Sequence, residues 1–326
     1  MKAVVQRTYG SADVLHVEAI DQPVIGPTDV LVKVHGAGLD RGTWHLMEGL
    51  PYLVRLGFGF RRPKNPVPGL DVAGTVVTIG DEVTRFQPGD EVFGIAKGSF
   101  AEFASAEEEK LAVKPENLTF EQAAVVPVSA STALQGLQDV GRLEASHHVL
   151  IVGASGGVGT YAVQIAKALG AEVTGVCSTA KVDLVRSIGA DHVIDYTEVD
   201  FADGTESYEL ILDIGGNTPL SRLRSALTKK GTLVIVGGEE GGRWAGGIHR
   251  QLGAMVLSRF VSQRLTSFIA KEGGGHLAQL AKFIEAGQLT PTIDRTYPLD
   301  EVPEAMRHLV AGQARGKIAI SVADAD

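Results

Sequence analysis

The chain has 326 residues, 44% of them apolar, more than one domain usually holds and enough nonpolar surface for two cores. Its formal charge is −9 with no basic block, so the overall balance gives no footprint for nucleic acid or an anionic membrane, and a small-molecule partner is expected. The single cysteine, Cys177, excludes an internal disulfide and any zinc site built from several thiolates. No uninterrupted apolar stretch is long enough to span a bilayer, and a soluble, cytoplasmic protein is expected.

The run from Met1 to Gln6 reads as the start of a strand rather than as a signal or transit peptide. Roughly the first 120 residues are rich in β-branched residues punctuated by glycine and proline. Strands are predicted at Lys2–Gln6, Asp29–Gly36, Gly74–Ile79 and Glu91–Gly94, with turns such as Pro88-Gly89-Asp90 between them. The segment from Leu50 to Pro68 is expected to be an ordered loop.

From about Phe120 the rhythm changes to strands alternating with helices. Short apolar strands are predicted at Val149–Val152, Glu172–Val176, His192–Ile194, Leu210–Ile214 and Thr232–Val236, with helices through Val163–Leu169, Lys181–Ile188 and Leu220–Lys229. This is the pattern of a doubly wound parallel sheet. Cys177 closes one of these apolar runs and reads as a buried, inert thiol rather than a nucleophile. The end of the chain reads as strand, helix, strand at Ile293–Tyr297, Val302–Leu309 and Lys317–Val322.

Between the first apolar strand and its helix lies Gly153-Ala154-Ser155-Gly156-Gly157-Val158-Gly159. Glycines here let the backbone approach a pyrophosphate, whose charge meets the unpaired N–H groups and positive dipole end of the helix. An NAD-specific site places a carboxylate at the end of the next strand, where it binds the ribose hydroxyls. This chain instead has Ser178, Thr179 and Lys181 there, two hydroxyls and an ammonium suited to a 2′-phosphate, with Tyr196 placed to cover the adenosine. NADP is therefore the expected cofactor.

The β-rich start, the glycine turn, Pro68-Gly69-Leu70-Asp71-Val72-Ala73-Gly74, Phe86-Gln87-Pro88-Gly89-Asp90-Glu91-Val92 and Ala101-Glu102-Phe103 together resemble the medium-chain dehydrogenase/reductase superfamily, and within it the zinc-independent quinone oxidoreductases. The resemblance implies an α/β protein with a GroES-like β-rich catalytic domain over 1–122 and 290–326, a Rossmann domain over 123–289, an active site in the cleft between them, and a homodimer joined through Rossmann-sheet edges near Ser262–Ala270. It implies cofactor contacts at Thr132, Ser155, Gly156, Gly157, Val158, Ser178, Thr179, Lys181, Tyr196, Gly237 and the Gly316-Lys317 pair.

Zinc-dependent relatives carry cysteine and His-Glu where this chain has Asp40 and Leu70-Asp71, so no metal site is expected. Without a metal, hydride transfer suits an acceptor already activated by conjugation, and the protein must supply position and a hydrogen-bond donor. The candidates are His45, Tyr52, Thr43, Asp40 and Arg41, with Tyr52, Phe58 and Phe60 stacking on a flat substrate. The leading expectation is an NADPH-dependent quinone oxidoreductase. The alternatives are an enone or enal double-bond reductase and, from another class, a non-catalytic NADPH-binding redox sensor.

Overall fold

A computed structural model describes residues 1–238 and 242–322. In chain order these form β1 (Lys2–Gln6), β2 (Leu15–Ala19), β3 (Asp29–Leu39), α1 (Arg41–Glu48), α2 (Val54–Phe58), β4 (Asp71–Ile79), β5 (Glu91–Ile95), β6 (Phe103–Glu107), β7 (Leu111–Val113), α3 (Phe120–Ala124) and α4 (Pro127–Leu134). There follow β8 (His148–Val152), α5 (Gly157–Ala168), β9 (Glu172–Cys177), α6 (Val182–Ser187), β10 (His192–Asp195), β11 (Tyr208–Asp213), α7 (Leu220–Ser225), β12 (Leu227–Ile235), α8 (Ile248–Leu257) and β13 (Arg264–Ser267). The last elements are α9 (Gly274–Glu285), β14 (Ile293–Pro298), α10 (Val302–Val310) and β15 (Lys317–Ser321).

Two compact units emerge, one comprising 1–131, 272–287 and 291–326, the other 132–271 and 288–290. The expectation assigned 123–289 to the second domain, but α9 belongs to the first. A Cβ on Gly274, at the start of α9, would lie 2.8 Å from the Leu111 carbonyl oxygen and 3.0 Å from that of Glu109, so only glycine admits this approach.

In the first unit, β1 and β2 form an antiparallel hairpin, and a larger sheet runs β14-β15-β3-β4-β5-β7 with β6 also paired to β3. β3 is long because β4 pairs along nearly all of it while β6 and β15 pair near its two ends, which explains its nearly continuous burial. A core of Val4, Val30, Val32, Val72, Val92, Phe100, Met306 and Ile318 fills this unit.

In the second unit, six parallel strands run β10-β9-β8-β11-β12-β13. The chain winds outward from β8 to β10, then returns to the other side of β8 as β11. This makes the C-terminal ends of β8 and β11 the topological switch point, where such sheets bind ligands. β13 forms one edge of the sheet, as expected of the Ser262–Ala270 region.

Two expectations are corrected. The Leu50–Pro68 loop contains a five-residue helix, α2. The helix foreseen to Lys229 ends at Ser225, and β12 starts at Leu227. Thr228, Lys229 and Lys230 give the first half of β12 a polar, helix-like texture, while Leu227 and Thr232 on either side of them pair with Tyr208 and Leu210 across a register shift and keep the segment a strand.

Candidate functional site

In the second unit the glycine turn joins β8 to α5. Gly153 has φ +90°, a conformation that only glycine adopts without strain, and both Gly153 and Ala154 donate their N–H to the Val176 carbonyl at 3.1 and 3.0 Å. A Cβ on Gly159 would lie 2.1 Å from the Gly153 carbonyl oxygen, so this glycine sets how closely α5 packs on the turn. Gly156 differs: its Cβ would meet only the Gly153 carbonyl oxygen, at 3.6 Å. Gly156 is the N-cap of α5 and no side chain caps it, which leaves first-turn N–H groups for a ligand anion. Ser155 is buried in the turn, and Gly157 and Val158 open the helix. The residues present therefore fit a dinucleotide pyrophosphate, because Gly156 leaves open the space that a side chain would fill.

The residues expected at the adenosine end gather on adjacent strand ends, since β10 pairs with β9 with Asp195 opposite Cys177. Lys181 donates its N–H to the Ser178 carbonyl at 2.9 Å, forming a short turn above β9, and Tyr196 is exposed beside it. One feature escaped the sequence reading. Asp195 supplies a carboxylate here after all, held below the ordinary carboxylate range by hydrogen bonds from the Thr179 and Thr197 hydroxyls. The Thr179 hydroxyl is thus engaged within the protein, 2.9 Å from that of Thr197. Cys177 is buried, and burial, reinforced by Asp195, pushes its thiol up, as befits an inert group.

At the switch point, the N–H groups of Val236 and Gly237 donate to the Asp213 carbonyl at 2.9 and 3.2 Å. A Cβ on Gly237 would lie 2.0 Å from the Ile214 carbonyl oxygen. The Asp213 side chain is fully buried and ion-paired to Arg250, which also donates to the Thr218 carbonyl at 2.8 Å. Burial raises the Asp213 carboxyl, and Arg250 and the Gly216 N–H oppose that rise. Beside this pair lies a cavity of about 440 Å³ lined by Asn217, Thr218, Pro219, His249 and Arg250. Thr132, half-buried on α4, belongs to the same unit.

In the first unit the candidates cluster where β3, β4 and β15 meet. Gly38 pairs with Asp71 and Leu39 with Ile318, which brings together the ends carrying Asp40, Asp71 and Lys317. Gly38 is required because a Cβ there would sit 2.8 Å from Asp71 Oδ2 and 2.5 Å from the Ala124 carbonyl oxygen. Asp71 Oδ1 accepts from the Val128 N–H at 2.8 Å and Oδ2 from Lys317 Nζ at 3.2 Å, and Lys317 also donates to Ser129 Oγ at 3.0 Å. Burial pushes the Asp71 carboxyl up to about 7 against the opposing pull of Lys317, with Asp40 adding to the rise. Lys317, expected among the cofactor contacts, is 2% exposed and held in this ion pair.

Asp40 is buried and caps α1, its Oδ1 accepting from the Thr43 N–H at 2.8 Å. Asp40 Oδ2 and Thr43 Oγ1 are buried without a hydrogen-bond partner, so neither is presented to solvent. His45 Nδ1 lies 3.0 Å from the Leu50 carbonyl oxygen, and because a carbonyl only accepts, Nδ1 carries the proton. His45 can therefore donate through Nε2 only as the imidazolium. Tyr52 is half-buried with the Arg55 guanidinium 4.7 Å from its ring centroid, and Arg41 lies 5.3 Å from the Trp44 ring centroid. Phe58 and Phe60 point outward and are exposed.

A dinucleotide turn on a parallel sheet, joined to a β-rich unit with a buried polar cluster, defines an oxidoreductase of the dehydrogenase class. Residues 26–116 match the alcohol dehydrogenase GroES-like domain family, and residues 188–320 a family described as zinc-binding dehydrogenase. The chain is 32% identical to a chloroplastic NADPH-dependent alkenal/one oxidoreductase of Arabidopsis thaliana, covering 98% of this chain and 79% of that one. It is also 32% identical to a chloroplastic quinone-oxidoreductase of Triphysaria versicolor, covering 98% of both. The solved structure of the quinone oxidoreductase from Coxiella burnetii superposes with a TM-score of 0.87 at 26% identity over 99% of each chain. The chain belongs to the medium-chain dehydrogenase/reductase superfamily, and it is an oxidoreductase.

The zinc implied by one family's description does not fit the residues here. Among the described residues no group of three His, Cys, Asp or Glu side chains is placed to hold a metal. Both oxygens of Asp71 take protein donors, and the Asp40 carboxylate is turned to cap α1.

Proposed function

We propose that this protein is an NADPH-dependent, zinc-independent quinone oxidoreductase. The observation that carries the reading is the uncapped glycine turn at the switch point, where Gly156 leaves open the space above the N-terminus of α5. NADPH, when bound there, supplies a hydride. The Ser178–Lys181 turn supports NADPH over NADH because an ammonium and a hydroxyl complement a 2′-phosphate. Asp195 opposes that preference less than its charge suggests, since two hydroxyls already occupy it.

The acceptor's developing oxyanion needs a donor. The Tyr52 hydroxyl can supply that donor, whereas His45 Nε2 donates only as the imidazolium because Nδ1 already holds a proton against the Leu50 carbonyl. Thr43 and Asp40 act by holding α1 in place. A conjugated acceptor needs no Lewis acid, in keeping with a lysine-bound Asp71 at the metal position. A homodimer through β13 is supported by the adjoining exposed apolar residues Leu252, Met255 and Val256 of α8. Among the described residues no helix is long and apolar enough to cross a membrane, and the single buried cysteine supports a cytoplasmic setting.

The test follows reduced-cofactor absorbance with NADPH and NADH against quinones, 2-enals, 2-enones and simple aldehydes. Quinone-dependent oxidation of NADPH in preference to NADH is the expected result. The name of the Arabidopsis relative favours one second reading, reduction of an enone or enal double bond, which consumption with those acceptors alone would establish. Tight NADPH binding with no turnover across the panel would overturn both in favour of a redox sensor. Lys181→Ala should raise KM for NADPH by about 10- to 100-fold, the worth of a hydrogen bond to a charged group, and leave NADH nearly unchanged. Equal loss with both cofactors would remove the 2′-phosphate assignment.

A further inference from the structure

Residues 49–70 carry four cations, Arg55, Arg61, Arg62 and Lys64, and no carboxylate, within a chain of net charge −9. In the same segment Leu53, Leu56, Phe58 and Phe60 are 47%, 71%, 53% and 73% exposed. Large apolar side chains clustered at the surface mark an interaction site more often than chance exposure.

The segment is built to hold them outward. Lys64 donates its N–H to the Phe58 carbonyl at 2.8 Å, and the Tyr9 hydroxyl donates to the Gly59 carbonyl at 2.6 Å. Arg55 packs its guanidinium 4.4 Å from the Tyr9 ring centroid and 4.7 Å from that of Tyr52, and donates Nε–H to the Gly49 carbonyl at 2.9 Å. Gly59 turns the chain at φ +122°, where a Cβ would lie 2.1 Å from the Arg62 carbonyl oxygen. Internal hydrogen bonds thus fix the backbone while Leu56, Phe58, Phe60, Arg61, Arg62 and the Lys64 side chain face solvent.

We infer that this segment docks the protein on an anionic lipid surface. Apolar side chains that enter the acyl boundary, flanked by cations that reach the headgroups, form the pairing such a surface recognises. The net charge of −9 repels an anionic membrane, so the approach is favoured along this segment, where cations stand without carboxylates. The whole-chain charge balance conceals the feature because the 39 acidic residues outweigh it in the sum.

The test sediments the full-length protein with sucrose-loaded vesicles of phosphatidylcholine alone or with about 30% phosphatidylglycerol, in roughly 0.1 M salt. Vesicle binding needs neither cofactor nor acceptor, so its failure and failure of the quinone reading are separable. Binding is expected only to the anionic vesicles, with release at about 0.5 M salt as the charges are screened. Arg61→Gln with Arg62→Gln should weaken partitioning about 25-fold, from about fivefold per cation, and Leu56→Gln about 10-fold. Circular dichroism and NADPH binding identify any variant that has lost its fold. No sedimentation, equal binding to neutral vesicles, or folded variants that partition like the parent would each overturn the inference.

Discussion

Lys317→Met should cost about 3–5 kcal/mol of stability near pH 8, the penalty for a buried charge that loses its partner, and distinctly less near pH 5.5. Asp71 is fully enclosed, and its carboxyl is pushed from an ordinary 3.8 up to about 7 even with Lys317 3.2 Å away. The folded chain therefore holds a proton on Asp71 across a window in which the unfolded chain has released it. Stability from this group is complete below about pH 4 and is lost as pH rises through about 7, a total of about 4 kcal/mol at 1.36 kcal/mol per unit.

Removing the ammonium raises the carboxyl further, so the variant's deficit grows with pH above neutrality and shrinks where Asp71 is protonated. Denaturant unfolding between about pH 5.5 and 9 reads this out. Lys317→Met combined with Asp71→Asn should recover most of the loss, because no charge is then left buried. A deficit that does not vary with pH would mean that the lysine contributes through its packed aliphatic stem rather than its charge.

Gly159→Ala should weaken NADPH binding by at least about 100-fold, because the added carbon meets only backbone, the Gly153 oxygen at 2.1 Å and Ala154 carbons at 2.7 and 2.8 Å. No flexible side chain is there to move aside, so either the turn opens or α5 lifts from β8, and both displace the N–H groups that meet the pyrophosphate. Gly156→Ala separates fold from ligand. Its added carbon has open space apart from one atom at 3.6 Å, so its melting temperature should match the parent while NADPH binding weakens. Titration of NADPH fluorescence alongside thermal melting distinguishes the two. Parent-like binding by Gly159→Ala would mean that the turn does not form the phosphate cradle.

The particular residues show how far sequence reached. Val149–Val152, the glycine turn and the amphipathic run to Ala168 were legible because strand, turn and helix are each written in a few neighbouring residues, and a parallel strand buried on both faces has a continuous apolar signature. Cys177 as a buried thiol followed from the same local texture. β12 misled because half of it is polar, and only its pairing with β11 and β13 makes it a strand. The Asp71–Lys317 pair spans 246 residues of chain, and the Asp195–Thr179 link crosses between strand ends. No spacing rule reaches such partners.

By itself the sequence therefore determined the two architectures, the dinucleotide turn and the class of chemistry, all consequences of local periodicity and of glycine's freedom to approach a ligand. Only the tertiary structure decided which candidate side chains are available: it enclosed Thr43 and Asp40, committed Lys317 to a buried carboxylate and left Leu56, Phe58 and Phe60 in solvent. The physical reason is that burial and ion pairing arise where distant strands meet, and the free energy of a charged group is set by that meeting rather than by its neighbours in the chain.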